Sequence, residues 1–217
     1  MSIRKVNFVE GGYYHIYNRG NSKQKIFHNK ADYERFISLL YLSNSGNNFK
    51  IDYIGKHNIY ITDRGSRLVS IGAYCLMPNH FHILITPLVE GGVSKFMQKM
   101  TTAYSMYYNQ KYRRTGGLFE GKFKAEYANN DKYLKYLFSY IHLNPIKLID
   151  SKWKEKGIKN KATALAFLKT YQYSSYASYI ETNRVEEILL NKESFPKYFS
   201  NPREFQKEIF DWLSYKY

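Results

Sequence analysis

Cysteine, long apolar runs and acidic residues are all scarce in this 217-residue chain. The single cysteine, Cys75, excludes an internal disulfide framework, and its place in an apolar run predicts a small core residue. No run approaches the roughly 20 apolar residues that a membrane-spanning helix needs. The opening residues, MSIRKVNFVEGG, lack the apolar region of a signal peptide. We therefore expect a cytoplasmic protein with no membrane partner.

The shortage of acidic residues leaves a large positive charge. Lysine and arginine number 33 against 18 aspartate and glutamate, which gives a formal net charge of +15. This excess favours nucleic acid as the partner, because no basic amphipathic helix with a clean apolar face stands out. The 23 tyrosines, interleaved with cations, suit single-stranded nucleic acid, where bases stack on rings. An A/T-rich gene is an alternative source of the tyrosines, but it explains the charge less well.

The most informative stretch is Tyr74–Pro87, which reads YCLMPNHFHILITP. Two apolar runs flank Pro78-Asn79, a pair typical of a turn, so the stretch predicts two strands joined as a hairpin. Side chains alternate along a strand, so His80 and His82 share one face. Two imidazoles so placed form a preorganised pair of metal ligands. The alternative is that both histidines only form hydrogen bonds.

The rest of the first 130 residues predicts further strands and helices around this hairpin. His15, on the first strand, is a lone histidine and favours a structural role. The predicted elements are a strand at Gly12–Arg19, a helix at Lys30–Leu42 capped by Asn29, a short strand at Ile59–Ile61, a strand at Leu68–Met77, a helix at Lys95–Tyr112 capped by Ser94, and a short strand within Leu118–Tyr127.

A helix beginning at Asp131 and ended by Pro145 supplies the remaining chemistry. Its predicted buried stripe contains Leu134, Leu137, Phe138 and Ile141. Tyr140 and Asn144 lie four residues apart, so they point together from an adjacent face. With two imidazoles and one amide oxygen around a divalent ion, a tyrosine could attack a phosphodiester and form a covalent phosphotyrosine.

Beyond Asp150 the pattern weakens. Residues 151–161 predict a basic linker, Tyr171–Tyr179 is polar and rich in rings, and Val185–Leu190 and Pro202–Tyr217 predict two helices. We therefore divide the chain into a catalytic domain at residues 1–150 and a helical C-terminal extension at residues 151–217.

Four stretches together resemble a known family, the single-tyrosine HUH transposases of the IS200-like group, and within it the REP-associated tyrosine transposases. Two short motifs, M-P-N-H-x-H and Y-I-x-L-N-P, are the most specific part of the match. The stretches, in family order, are YHIYNRGNSKQKIF at 14–27, AYCLMPNHFHILI at 73–85, GGLFEGKFKAEY at 116–127 and YLKYLFSYIHLNPIK at 133–147.

The resemblance implies a ferredoxin-like α/β sandwich with an antiparallel sheet, in agreement with the strand–helix–hairpin–helix order. It implies that His80, His82 and Asn144 hold Mg²⁺ or Mn²⁺ and that Tyr140 is the nucleophile. The substrate would be single-stranded DNA beside a hairpin, cleaved to a 5′-phosphotyrosine and a free 3′-hydroxyl by a monomer or homodimer associated with the bacterial nucleoid. The residues expected to contact DNA are basic: Arg19, Lys23, Lys25, Arg113, Arg114, Lys122 and Lys124.

Four positions depart from the family or leave alternatives open. Phe119 and Lys122 replace a frequent Trp and Arg, and Lys lacks the bidentate fork of Arg. Asn144 is shorter than the usual Gln, so water could mediate its contact with the ion. Tyr136 is an alternative nucleophile. Besides a metal-dependent nicking and strand-transfer enzyme, the sequence permits a hairpin-binding relic that no longer cuts, and an RNA-binding module in which the histidine pair has no role.

Overall fold

A computed structural model describes residues 6–180 and 183–211. Its centre is a four-stranded antiparallel sheet in the order β2-β3-β1-β4. The strands are β1 (Tyr14–Arg19), β2 (Val69–Met77), β3 (His80–Pro87) and β4 (Lys124–Tyr127); the helices are α1 (Lys30–Ser43), α2 (Gly92–Lys111), α3 (Asp131–Leu143), α4 (Trp153–Lys156), α5 (Lys161–Thr170), α6 (Tyr176–Ile180) and α7 (Pro202–Asp211).

The first six elements follow the order β1-α1-β2-β3-α2-β4. With this strand order in the sheet, they form the predicted ferredoxin-like sandwich. The β2–β3 hairpin turns at Pro78-Asn79, as the sequence predicts. Because strand side chains alternate, Phe81, Ile83 and Ile85 point to one face and enter the main core beneath α1 and α2. His80 and His82 point to the opposite face.

The opposite face of the sheet is covered by α3. Leu134, Leu137, Phe138 and Ile141 are buried against small and apolar residues of β2 and β3, so the predicted stripe is confirmed. Asn130 caps the helix by accepting a hydrogen bond from the backbone N–H of Tyr133 at 2.8 Å. This packing fixes which side of α3 faces the histidines.

Two local predictions are wrong. Ile59–Ile61 belongs to a 3₁₀ helix, Lys56–Ile61, so the short β-branched run was mistaken for a strand. The second helix begins at Gly92, because Gly91 takes a left-handed φ of +67° and ends the turn before Ser94 is reached. Ser94 therefore lies inside α2 and is not its cap.

The C-terminal part is more ordered than its sequence pattern suggests. The predicted basic linker contains α4, whose Trp153 is buried, and α5 follows where no helix was predicted. The ring-rich segment runs along the edge of β2, where the Leu76 amide donates to the Tyr173 carbonyl at 2.9 Å. It thereby covers an otherwise open sheet edge. Val185–Leu189 is a 3₁₀ helix, and the end of the last predicted helix lies outside the described residues.

Candidate active site

The histidine pair lies at the start of β3, next to the middle of the sheet. His82 pairs with Tyr17 of β1, and His80 pairs with Arg19. His82 is 6% exposed and His80 is partly buried, with their ring centroids 5.0 Å apart. Both rings lie on the α3 face of the sheet, as predicted.

Each histidine is held through its Nδ1 atom. His80 Nδ1 is 2.6 Å from Asn79 Oδ1, and His82 Nδ1 is 2.8 Å from His15 Nε2. Because the Asn79 oxygen can only accept, His80 must donate through Nδ1, which leaves its Nε2 lone pair available. Fixing one ring nitrogen in this way sets the tautomer that a metal ligand requires.

Helix α3 brings a phenol and an amide to these rings. The ring of Tyr140 lies 5.4 Å from that of His82, at an interplanar angle of 74°. Asn144, one turn later, is 3% exposed. His82 Nε2 and Asn144 Oδ1 are both buried and have no hydrogen-bond partner among the described residues. Buried polar atoms are usually paired, so two unpaired polar atoms in one site point to a ligand.

The local environment keeps both imidazoles neutral. Burial lowers the pKa of His80 to about 4, against a smaller opposing effect of the neighbouring Asn144 amide. Burial and the neighbouring His15 hold the pKa of His82 well below its usual range. Neutral imidazole is the form that ligates metal, so both rings are ready to bind at neutral pH.

Opposing effects act on the pKa of the Tyr140 phenol. Burial raises the pKa of its phenol, while the neighbouring Asn144 amide and the charge of Lys147 act to lower it. The Lys154 ammonium also lies over the Tyr140 ring, 3.9 Å from its centroid. The phenol is therefore neutral at rest, with two cations placed to favour its ionised form.

The side chains of this site match the usual protein ligands of Mg²⁺ or Mn²⁺ only in part. Within residues 6–180 and 183–211, no group of three or more His, Cys, Asp or Glu side chains has a metal-binding arrangement. Two imidazoles and one amide oxygen are therefore the protein ligands that the site offers. Such a set leaves coordination positions for phosphate oxygens.

His80, His82 and Tyr140, but not Asn144, are among the residues that line a basic cleft of about 800 Å³. Four of the seven predicted DNA contacts, Arg19, Lys23, Lys25 and Lys124, lie in it. The Arg19 guanidinium already binds the Glu120 carboxylate through two hydrogen bonds of 2.9 and 3.0 Å. The cleft thus gathers cations around His80, His82 and Tyr140.

The other three predicted DNA contacts are not among the described residues that line the cleft. Arg113 and Arg114 follow α2, and the Arg114 guanidinium lies 5.5 Å from the ring centroid of Tyr108 in that helix. Lys122 is exposed in the loop before β4. Their part in DNA binding stays a prediction.

Sequence reasoning missed three residues of this site. His15, for which the sequence favours a structural role, forms a hydrogen bond with His82 through its ring, and only the register of β1 on β3 shows this. Lys147 lines the cleft and lies two residues after the Asn144-Pro145 motif, so its position was a usable signal. Lys154 comes from α4, and no sequence pattern pointed to it.

A comparison of the sequence with known families finds a match to the segment that contains this site. The family model described as "Transposase IS200 like" matches residues 59–144. This part of the chain is similar in sequence to the IS200-like transposases. The matched segment contains His80, His82, Tyr140 and Asn144. The resemblance predicted from the motifs is thus confirmed over this segment.

Two further comparisons add less. A solved structure of a REP-associated tyrosine transposase bound to a REP hairpin is similar with a TM-score of 0.48 and 14% identity, covering 82% of this chain and 85% of that chain. At that level the hairpin is a property of that protein alone, and the narrower branch stays a prediction. Comparison with curated proteins found no match. In the described part of the chain, no helix is both long and apolar enough to cross a membrane.

Proposed function

We propose that this protein is a metal-dependent nuclease and strand transferase for single-stranded DNA beside a hairpin. Tyr140 is its nucleophile, and His80, His82 and Asn144 hold Mg²⁺ or Mn²⁺. A bound ion would act as a Lewis acid on the scissile phosphodiester. The remaining chemistry falls to residues of the chain itself.

The observation that carries this proposal is a pair of buried polar atoms beside the Tyr140 ring, His82 Nε2 and Asn144 Oδ1, that have no partner among the described residues. A site that only bound DNA would gain nothing from buried acceptors, since phosphate offers acceptors and needs donors. Both atoms suit a cation instead. Their place on β3 and at the end of α3 also gives the rigid support that a catalytic site needs.

In the proposed reaction the Tyr140 oxygen attacks phosphorus while the bond from phosphorus to the 3′ oxygen breaks. The phenol proton is lost, the departing 3′ oxygen gains one, and the 5′ phosphate stays on Tyr140. Asn144 and Lys147 favour the phenolate against the effect of burial. The reverse step, attack by a 3′-hydroxyl on the phosphotyrosine, rejoins a strand without an external energy source.

Tyr140 is favoured over Tyr136 by position. Its ring lies near both His82 and His15, and it lines the basic cleft, whereas Tyr136 stacks behind it with ring centroids 5.8 Å apart. Burial raises the pKa of both phenols, so acidity does not separate them. Geometry supports Tyr140.

The DNA strand would enter along the cations that line the cleft. Lys23 and Lys25 follow β1, Lys124 opens β4, and Lys147 follows α3, so three separate segments contribute charge. Such a lining would track phosphates without reading bases. We assign this catalytic unit to residues 1–150 and propose that residues 151–217 form an extension that adds Lys154 to the site.

The test is a covalent-adduct assay. Labelled single-stranded DNA containing the hairpins from the gene's own flanks is incubated with Mn²⁺ or Mg²⁺ and run on a denaturing protein gel. We expect a DNA-linked band that disappears without metal and falls at least about 1000-fold in Tyr140→Phe.

Tyr136→Phe is the matched control, because it removes a neighbouring, parallel phenol from the same helix. A band that survived in Tyr140→Phe and vanished in Tyr136→Phe would move the nucleophile to Tyr136. Tight hairpin binding with no adduct in the unaltered protein would instead indicate a relic that binds DNA without cutting it.

A further inference from the structure

Two further side chains, those of His15 and Glu126, extend the site from His82 across the sheet. His15 on β1 bonds His82 Nδ1 through its Nε2 atom at 2.8 Å. Its other ring nitrogen, Nδ1, is 3.7 Å from Glu126 Oε2 on β4, longer than a hydrogen bond but within range of a strong electrostatic contact. The three side chains share one face because His15 is the direct sheet partner of Glu126.

Glu126 is held in place by two phenols. Tyr17 donates to its Oε1 at 2.8 Å, and Tyr133, at the start of α3, donates to its Oε2 at 2.9 Å. The contact with His15 and these hydrogen bonds lower the pKa of Glu126 to about 2, so the carboxylate is anionic at neutral pH. It therefore faces His15 as an acceptor.

The Glu126 carboxylate decides where the protons lie in the series of side chains Glu126, His15 and His82. An anionic Glu126 favours a proton on His15 Nδ1, and with that single proton on the ring His15 Nε2 is an acceptor. His82 must then donate through Nδ1, and its own Nε2 carries the lone pair. That Nε2 is the buried atom without a partner among the described residues.

We infer that Glu126 and His15 are positioning residues that fix His82 in its Nδ1–H tautomer and aim its Nε2 atom at the metal. This inference rests on the proposed function for its purpose, but not for the tautomer itself. A ligand imidazole whose second nitrogen is held by a neighbour is oriented and made more basic, and loss of such a neighbour commonly costs about 10–100-fold in metal affinity.

The experiment has two readouts on the full-length protein. Long-range ¹H–¹⁵N correlation spectra of the metal-free, ¹⁵N-histidine-labelled protein report which nitrogen of His82 carries the proton. Titration with Mn²⁺ alone reports affinity. We expect the Nδ1–H form in the unaltered protein, a mixture with the Nε2–H form in His15→Ala, and Mn²⁺ binding weakened about 10–100-fold in that variant.

Two further variants complete the test. Glu126→Gln keeps the shape of a half-exposed side chain and should weaken Mn²⁺ binding in the same direction but less. His28→Ala removes a histidine that contacts Tyr108 of α2 and should change neither readout. If His15→Ala does not fold, Glu126→Gln decides the inference.

The inference is overturned if His82 is protonated on Nε2 in the unaltered protein, or if its tautomer is the same in His15→Ala. Because the spectra are recorded without metal, that result is independent of catalysis. Failure of the proposed function would give a different result. The unaltered protein would then form no metal-dependent DNA adduct, while the His82 tautomer would still depend on His15.

Discussion

Two buried polar clusters lie on opposite faces of the same sheet, and they differ in whether their atoms are paired. On the α1–α2 face, Asp32 is 0% exposed, and both of its oxygens accept hydrogen bonds. On the α3 face, His82 Nε2 and Asn144 Oδ1 are equally buried and lack partners among the described residues. The donors to Asp32 are Tyr107 and Lys111 on Oδ1, and Tyr112 and the backbone amides of His28 and Asn29 on Oδ2.

The difference separates a structural cluster from a functional one. Full pairing compensates the cost of burying Asp32 and ties the start of α1 to the end of α2. The unpaired acceptors beside Tyr140 lower stability in the absence of a ligand, which is the pattern expected of a binding site. Residue type alone does not make this distinction, because both clusters contain polar side chains under helices.

The largest effect on stability should come from breaking the paired cluster. Asp32→Asn removes the charge opposite Lys111 and leaves an amide facing several donors. We expect the free energy of unfolding to fall by about 2–4 kcal/mol. Urea denaturation checks the stability, and the adduct assay should give an unchanged yield per folded molecule, because Asp32 lies across the sheet from Tyr140.

A matched control is the double variant Asp32→Asn with Lys111→Met. Removing both charges should cost less than the sum of the single changes, since neither partner is left without its counterpart. An additive result would mean that the ion pair of 2.6 Å does not hold this cluster together.

Substitution in the unpaired cluster should not lower the free energy of unfolding, in contrast to Asp32→Asn. Asn144→Leu replaces an unsatisfied amide by an apolar side chain of similar size, so unfolding free energy should stay level or rise by about 0.5–1 kcal/mol. Mn²⁺ affinity and adduct formation should both fall by at least about tenfold. Calorimetric titration and thermal unfolding of the same samples measure the two effects.

Asn144→Gln is the control for that change, since it keeps an amide oxygen on a longer side chain. It should retain Mn²⁺ binding within a few-fold. Strong destabilisation by Asn144→Leu would show that Asn144 has a structural role and would remove the contrast between the two clusters.

Sequence patterns were enough for the elements that bear the chemistry, because local features define them. The Pro78-Asn79 turn and the alternation after it predicted the histidine face, and helical spacing placed Tyr140 beside Asn144. What the patterns missed depends on contacts between distant segments. His15 meets His82 only through the register of β1 on β3, and Lys154 reaches Tyr140 only because α4 folds back.

The smallest expected effect is the pH dependence of the paired cluster, and its sign follows from Asp32. Burial alone would raise the pKa of its carboxyl group, but hydrogen bonds from Lys111, Tyr112 and Tyr107 together with the His28 amide outweigh it and lower the pKa below 3.8. A pKa that is lower in the folded than in the unfolded state adds stability at a pH above the unfolded-state pKa, and that stability is lost as the pH falls through the folded-state pKa.

The difference in unfolding free energy between the unaltered protein and Asp32→Asn should therefore be full at pH 6 and shrink below pH 3.8. Glu126 also titrates at low pH but is present in both proteins, so its contribution cancels in the difference. A gap that stayed constant down to pH 2.5 would mean that the charge of Asp32 contributes nothing and that the pairing stabilises the fold through shape alone.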